Sequence, residues 1–152
     1  MDMTLVITLI ASYLIGAIPC GVVLTRLTGA GDVRQSGSGN IGATNVYRTA
    51  GRKLGILTLV GDIAKGILPV VYALHIADMS PQQVAMVACA TFLGHLYPVY
   101  LGFKGGKGVA TALGIYLVLS PLSVLVAAMV FLTLVWLWRY ISLGSISAAA
   151  LV

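Results

Sequence analysis

Residues 3–25, MTLVITLIASYLIGAIPCGVVLT, are 23 positions without a charged side chain. As a helix they reach about 34 Å at 1.5 Å per residue, so they are predicted to cross a bilayer as one span. Residues 54–76 form a second apolar stretch that carries Asp62, Lys65 and His75, and residues 82–101 a third whose one titratable imidazole is His95. Asp78, Ser80 and Pro81 supply the turn between them. Val109–Trp138 is uncharged throughout, interrupted by Ser120 and Pro121 and followed at once by Arg139. Its first half amounts to about 18 Å at helical rise, short for a full crossing, so tilt or a break inside the membrane is expected there. A further apolar run starts at about Leu143 and ends with the sequence at Val152. This pattern predicts an all-α, polytopic transmembrane protein with five or six spans in one integral membrane domain over 1–152, shortened at its C-terminus.

Composition strengthens the membrane reading. The chain is 59% hydrophobic and 9% charged, where soluble domains run near 45–50% and about 25%, so a water-soluble globule is excluded. The first span lacks a basic leader and an A-x-A-like cleavage site, so it is read as retained. The net charge is +5, and all four acids are aspartates. Arg26, Arg34, Arg48, Arg52 and Lys53 lie between spans one and two, Lys104 and Lys107 follow span three, and Arg139 follows the Val109–Trp138 run. The turns at Asp78 and Ser120 hold no Lys or Arg. The positive-inside rule then makes the loops at about 27–53, 102–108 and 139–143 cytoplasmic and the N-terminus external. On so apolar a chain the basic excess points to such loops and not to nucleic acid. Cys20 and Cys89 sit in apolar stretches without ligand spacing and read as core thiols.

Ten of the 18 glycines fall within 29–51 and 102–108. Glycine lets backbone N–H groups come close to a ligand. The first loop adds Ser36, Ser38, Gly39, Asn40, Thr44 and Asn45, closed by Arg48. Neutral donors around a fixed guanidinium suit a phosphate. The second, GFKGGKGVAT, sets Lys104 and Lys107 among Gly105, Gly106 and Gly108 just before a helix predicted from about Val109, an arrangement that favours an anion. It is not a Walker A loop, since Gly108 stands where Ser or Thr would follow Lys107. The alternative for each loop is a flexible basic turn. No cluster of His, Cys, Asp or Glu has metal-ligand spacing, so neither a metal nor another cofactor is expected.

The segments SGSGNIGATNVYR, GHLYPVYLGFKGGKGVAT and RYISLGSI resemble the bacterial acyl-phosphate:glycerol-3-phosphate acyltransferase family (the PlsY family), over nearly the whole chain. The resemblance implies a multi-pass enzyme of the bacterial cytoplasmic (inner) membrane, its active site facing the cytoplasm. It would transfer a fatty acyl group from acyl phosphate to the 1-position of sn-glycerol 3-phosphate, giving lysophosphatidic acid and phosphate, the first step of phospholipid biosynthesis. Acyl phosphate, sn-glycerol 3-phosphate and membrane lipids are the implied partners. By position Ser38 and Arg48 match the family's essential pair, the Lys107 loop its glycerol-phosphate site, and Ser142 or Ser145 a third serine near the phosphate. The family's C-terminal motif, with His, Asn and Glu, is not among these 152 residues.

Acyl phosphate is a mixed anhydride and needs little covalent activation. No cysteine lies in a loop and there is no G-x-S-x-G elbow, so direct attack by the glycerol hydroxyl is expected, with the proton taken by the departing phosphate. The His-x-x-x-x-Asp dyad of other glycerol-phosphate acyltransferases is absent, since Tyr100 follows His95 at that spacing and Ser80 follows His75. His95 reads either as a general base or as a packing histidine at the end of span three. His75 is expected at the outer interface. Asp62 and Lys65 are one turn apart, either an intrahelical ion pair or groups that shape a cavity. Tyr97, Tyr100, Trp136, Trp138 and Tyr140 read as interfacial anchors. The alternative function is an anion or phosphate transporter or channel, although no internal repeat supports it. A purely structural membrane subunit fits the Ser/Asn/Gly-rich loop less well.

Overall fold

The computed structural model describes residues 2–150, and every regular element among them is helical. The last two residues of the terminal apolar run lie outside the described residues. Eight α-helices follow in order: α1 Met3–Ala17, α2 Cys20–Leu27, α3 Ala43–Ala50, α4 Arg52–Val71, α5 Pro81–Leu96, α6 Val109–Leu119, α7 Pro121–Trp138 and α8 Ile141–Ala149. The predicted first span is broken. Pro19 has no N–H to continue the ladder, α1 stops at Ile18, and α2 leaves at an angle of 50°. A charge-free run concealed this break, because hydropathy does not register one proline.

The other boundaries follow from local chemistry. Ser80 accepts from the Gln83 amide while the Gln83 side chain accepts from the Ser80 amide, with Pro81 in the first helical position. That reciprocal box satisfies donors the helix start would leave orphaned. The second span runs from Arg52 through a π-turn at Tyr72–Ile76. The wider turn follows Pro69, which cannot donate to the α-helical ladder. Ser120 and Pro121 separate α6 from α7 as expected. By length and composition three helical stretches are able to cross a membrane, and the bent α1–α2 pair makes a fourth. The expected count of five or six is therefore not reached by length, because α6 has 11 residues and α8 has nine.

Helices here pack by close backbone approach, as they must where lipid is as apolar as leucine. A Cβ on Gly16 would strike the Thr91 carbonyl, and one on Gly94 the Tyr13 carbonyl, so α1 and α5 touch almost backbone to backbone. Gly66 and Gly114 do the same for α4 and α6, against the carbonyls of Thr111 and Ile63. Buried hydroxyls cap their own helices' carbonyls, as in Thr58 to Leu54 at 2.8 Å and Thr91 to Val87 at 2.9 Å. Val70, Ala73, Val84, Val87, Ala88 and Ile115 fill the space between α4, α5 and α6. The outside is apolar, and all five aromatic residues read as anchors are exposed. Gly94→Val is expected to cost about 3 kcal/mol by overpacking, lowering the thermal midpoint in detergent by roughly 10 °C. An unchanged midpoint would show that the α1–α5 contact is looser than described.

Candidate active site

The loop between α2 and α3 is built around two buried apolar plugs and one amide. Val33 and Ile41 insert beside Val22 and Val46, which pins the chain on either side of the polar stretch 34–40. Asn45, only 3% exposed, does the rest. Its Nδ2 contacts the carbonyls of Val33, Ser36 and Asn40 at 3.1, 3.1 and 2.9 Å, and its Oδ1 accepts from the Ser38 amide at 3.0 Å. Gly37 and Gly39 take positive φ, and a Cβ on Gly37 would collide with the Asn45 oxygen. Asn40 closes a further turn by accepting from the Gly42 amide at 2.9 Å. Asn45 was expected to bind phosphate. All its polar atoms are committed to the loop, so it shapes the loop that presents other groups. Replacing it with Ala leaves several carbonyls unpaired at about 1–3 kcal/mol each. Limited proteolysis within 36–42 is expected to speed up by roughly tenfold or more, since 1.4 kcal/mol is tenfold in an opening equilibrium; an unaltered rate would contradict this role.

Asp32 anchors the start of the loop. It accepts from Arg34 Nε and Nη2 at 2.9 and 2.6 Å and from Arg26 Nη2 at 2.7 Å. The Arg34 hydrogen bonds come first among the causes that hold its carboxyl well below the usual carboxylate range, with Arg26 adding to them against a desolvation cost. A depressed carboxylate pKa contributes stability above the unfolded value near 3.9, and that contribution is lost as pH falls through the lower folded value. The clamp therefore stays intact across the neutral range.

The second loop folds back on α5. Gly102 and Phe103 adopt left-handed backbone, and the Gly105 and Gly106 amides donate to the carbonyls of Leu96 and His95 at 3.1 and 3.2 Å. These are carbonyls that the end of α5 would leave unpaired. The expectation that these two amides face a ligand is thereby corrected. The glycines are required instead because a Cβ on Gly105 would strike the α5 backbone and one on Gly106 the His95 ring. Beyond them, Gly108 caps α6 with φ +76° and no side-chain cap, so the first amides of α6 lack an intrahelical partner beside Lys107.

The two loops meet in an open cleft of about 380 Å³ lined by Asp32, Arg34, Gln35, Gly39, Ile41, Lys104 and Gly105. Of the residues expected from sequence, Gly39, Lys104 and Gly105 line it. Arg34, Gln35 and Ile41 were not expected there, although Arg34 stands in the same basic run. Ser38 is exposed on the loop, and Thr44 and Arg48 lie one turn apart on the exposed side of α3. Arg48, Lys104 and Lys107 are exposed and have no acid within 4 Å among the described residues. Ser142 and Ser145 are not among the cleft-lining residues: they lie on α8, which packs on α7, and the Ser145 hydroxyl donates to the Ile141 carbonyl at 2.9 Å.

Beneath the glycine turn, His95 is 3% exposed. Its Nδ1 lies 3.2 Å from Thr111 Oγ1 and 3.9 Å from Asp62 Oδ1. Asp62 and Lys65 form the intrahelical ion pair that their spacing suggested, at 2.9 Å. The Lys65 ammonium also donates to the Ile18 carbonyl at 2.7 Å, the acceptor at the end of α1 that the Pro19 break exposes. The aligned hydrogen bond goes to that carbonyl, so Asp62 Oδ1 is buried without an aligned donor. Thr111 was missed in the sequence, where it is one more small residue in an apolar run.

Together, helices long and apolar enough to cross a bilayer, and exposed cations without an acid in reach among the described residues beside glycine turns, define an integral membrane protein with a basic loop face. The chain belongs to the glycerol-3-phosphate acyltransferase family, whose model matches residues 6–152. It is 70% identical over 144 residues to the glycerol-3-phosphate acyltransferase of Syntrophotalea carbinolica, covering 95% of this chain and 74% of that one. The corresponding protein of Trichlorobacter lovleyi is 61% identical over 139 residues, covering 91% and 71%. Among solved structures it is similar to PlsY, an integral membrane glycerol 3-phosphate acyltransferase, in its glycerol 3-phosphate form. The TM-score is 0.91 at 42% identity, covering 97% of this chain and 74% of that one. The lysophosphatidic acid form of that protein gives a TM-score of 0.87.

Proposed function

We propose that this chain transfers a fatty acyl group from acyl phosphate to the 1-hydroxyl of sn-glycerol 3-phosphate, releasing lysophosphatidic acid and phosphate. The observation that carries the reading is the cleft where the two loops meet, lined by Lys104, which has no acid within 4 Å among the described residues, in a member of this family. Two phosphate groups must be held there, one on each substrate, and Arg48, Lys104 and Lys107 supply charge without an acid to compete for it. Ser38, Thr44 and Asn40 offer neutral donors, Gly39 lets substrate approach the backbone, and the amides at Gly108 and the start of α6 favour an anion.

The glycerol hydroxyl attacks the acyl carbonyl carbon as the bond to phosphate oxygen breaks, and the proton ends on the released phosphate. His95, read from the sequence as a candidate base, lies buried beneath the turn with Gly106 across its Nε2, so it supports the turn and the departing phosphate takes the proton. The loops contribute positioning and charge neutralisation, so neither a covalent acyl-enzyme nor a cofactor is needed. Membrane lipids surround a single membrane domain, and the loops face the cytoplasm at a bacterial inner membrane with the N-terminus outside, by the charge asymmetry. The transporter alternative gives way to the family match. The test is phosphate release from a long-chain acyl phosphate in lipid vesicles bearing the protein. Release that depends on sn-glycerol 3-phosphate is expected, and release that ignores it, or transfer from acyl-CoA alone, would contradict the reading.

A further inference from the structure

Lys107 is an exposed cation on a segment that one buried side chain holds at both ends. The Nε2 side of the His95 ring lies against Gly106, where a Cβ would overlap it, and the same Cβ would come within 3.2 Å of Ile41 Cγ1 from the first loop. The other ring nitrogen, Nδ1, lies 3.2 Å from the hydroxyl of Thr111, in the first turn of α6. The His95 carbonyl reinforces the first hold by accepting from the Gly106 amide at 3.2 Å. Between the two fixed points stand Lys107 and Gly108, the left-handed cap from which α6 starts, and Gly108 rests on the Phe92 ring one turn before His95. The imidazole is itself held from α4: Asp62 Oδ1 is 3.9 Å from Nδ1, Lys65 pairs with Asp62 at 2.9 Å, and Gly66 meets the Thr111 carbonyl. None of Asp62, Lys65, His95 and Thr111 lines the cleft. Burying four polar side chains away from substrate is costly, and what such a network adds over apolar packing is a fixed direction for the groups it touches.

We propose that His95 and Thr111 are positioning residues that fix residues 106–111 from both ends, so that Lys107 and the first amides of α6 are preset for the phosphate of glycerol 3-phosphate. The Asp62–Lys65 pair holds the ring from α4, and the ring exchanges no proton with substrate. A site whose charge and donors are already in place binds an anion without the cost of ordering them. The inference rests on the proposed role of the Lys107 loop in binding glycerol 3-phosphate.

Labelled glycerol 3-phosphate, titrated onto the protein in lipid nanodiscs without acyl phosphate, reads the site apart from turnover. Thr111→Val keeps the side chain's shape and removes its hydroxyl. It is expected to weaken binding by roughly tenfold, the scale of one misplaced charged contact, and Thr111→Ser to bind within about threefold of the unaltered protein. His95→Gln keeps a polar group for Thr111 but sets no ring against Gly106, and is expected to weaken binding by a similar factor. Thermal midpoints identify a variant that has not folded, and either Thr111→Val or His95→Gln suffices. Lys107→Ala supplies the cycle. Because Thr111 acts through Lys107, adding Thr111→Val to Lys107→Ala is expected to weaken binding by less than about threefold more, whereas a role confined to stability predicts that the two losses multiply. If the unaltered protein does not bind glycerol 3-phosphate, or Lys107→Ala binds it as tightly, the reading of the loop falls and the inference with it. If Lys107→Ala is weak while Thr111→Val and His95→Gln bind normally, or the losses multiply, the inference alone falls.

Discussion

Arg48→Ala is expected to lower turnover at saturating substrates by roughly 100- to 1000-fold, the scale of losing a preorganised charge aimed at a developing anion. Arg48 stands exposed on α3, one turn after Thr44, with no acid within ion-pair distance among the described residues. Arg34 is the useful contrast. Its guanidinium lines the cleft but is bound to Asp32 through two hydrogen bonds, so much of its charge is already answered. Arg48→Lys keeps the charge and loses the planar fork, and is expected to recover a minor part of the activity. Steady-state rates with the thermal midpoint as a folding control decide the matter, and full turnover in Arg48→Ala would remove it from the site.

Gly106→Ala is expected to be nearly as damaging, at about 100-fold in kcat, because a displacement near 1 Å in a substrate-positioning loop has that scale. The added Cβ would occupy the position of His95 Nε2 and come within 3.1 and 3.2 Å of His95 Cε1 and Ile41 Cγ1. Ring and turn must then part, and the turn is held to α5 by the Gly105 and Gly106 amides. The loss should fall on kcat while the protein remains folded, since one loop moves and the helix contacts at Gly16, Gly66, Gly94 and Gly114 do not. Unchanged kinetics would show that the turn accommodates a side chain and that His95 is not set by it.

What the sequence disclosed is what local chemistry decides. Ser80, Pro81 and Gln83 announce the start of α5, Ser120 and Pro121 the break between α6 and α7, and the charge-free runs the apolar helices. The two loops that meet in the cleft were legible as a glycine-rich basic pair because glycines and cations concentrate there. Four features were hidden for physical reasons. Pro19 breaks the first span through a missing donor, which hydropathy does not measure. The direction of the Gly105 and Gly106 amides depends on where α5 ends in space, so they were read as ligand donors when they are bound to carbonyls. Asn45 was read by its chemistry as a phosphate ligand, whereas burial turns the same amide inward to organise the loop. The contact of Thr111 with His95 joins residues on two helices, and no spacing rule announces it.

Direct transfer at the loop face is the centre of this account, and isotope exchange tests it most directly. Protein in lipid vesicles that shows phosphate release dependent on glycerol 3-phosphate would be incubated with acyl phosphate and labelled inorganic phosphate, without glycerol 3-phosphate. Direct attack predicts that no label enters acyl phosphate. Label entering in its absence would reveal an acyl-enzyme, and with it a nucleophile that this account does not contain.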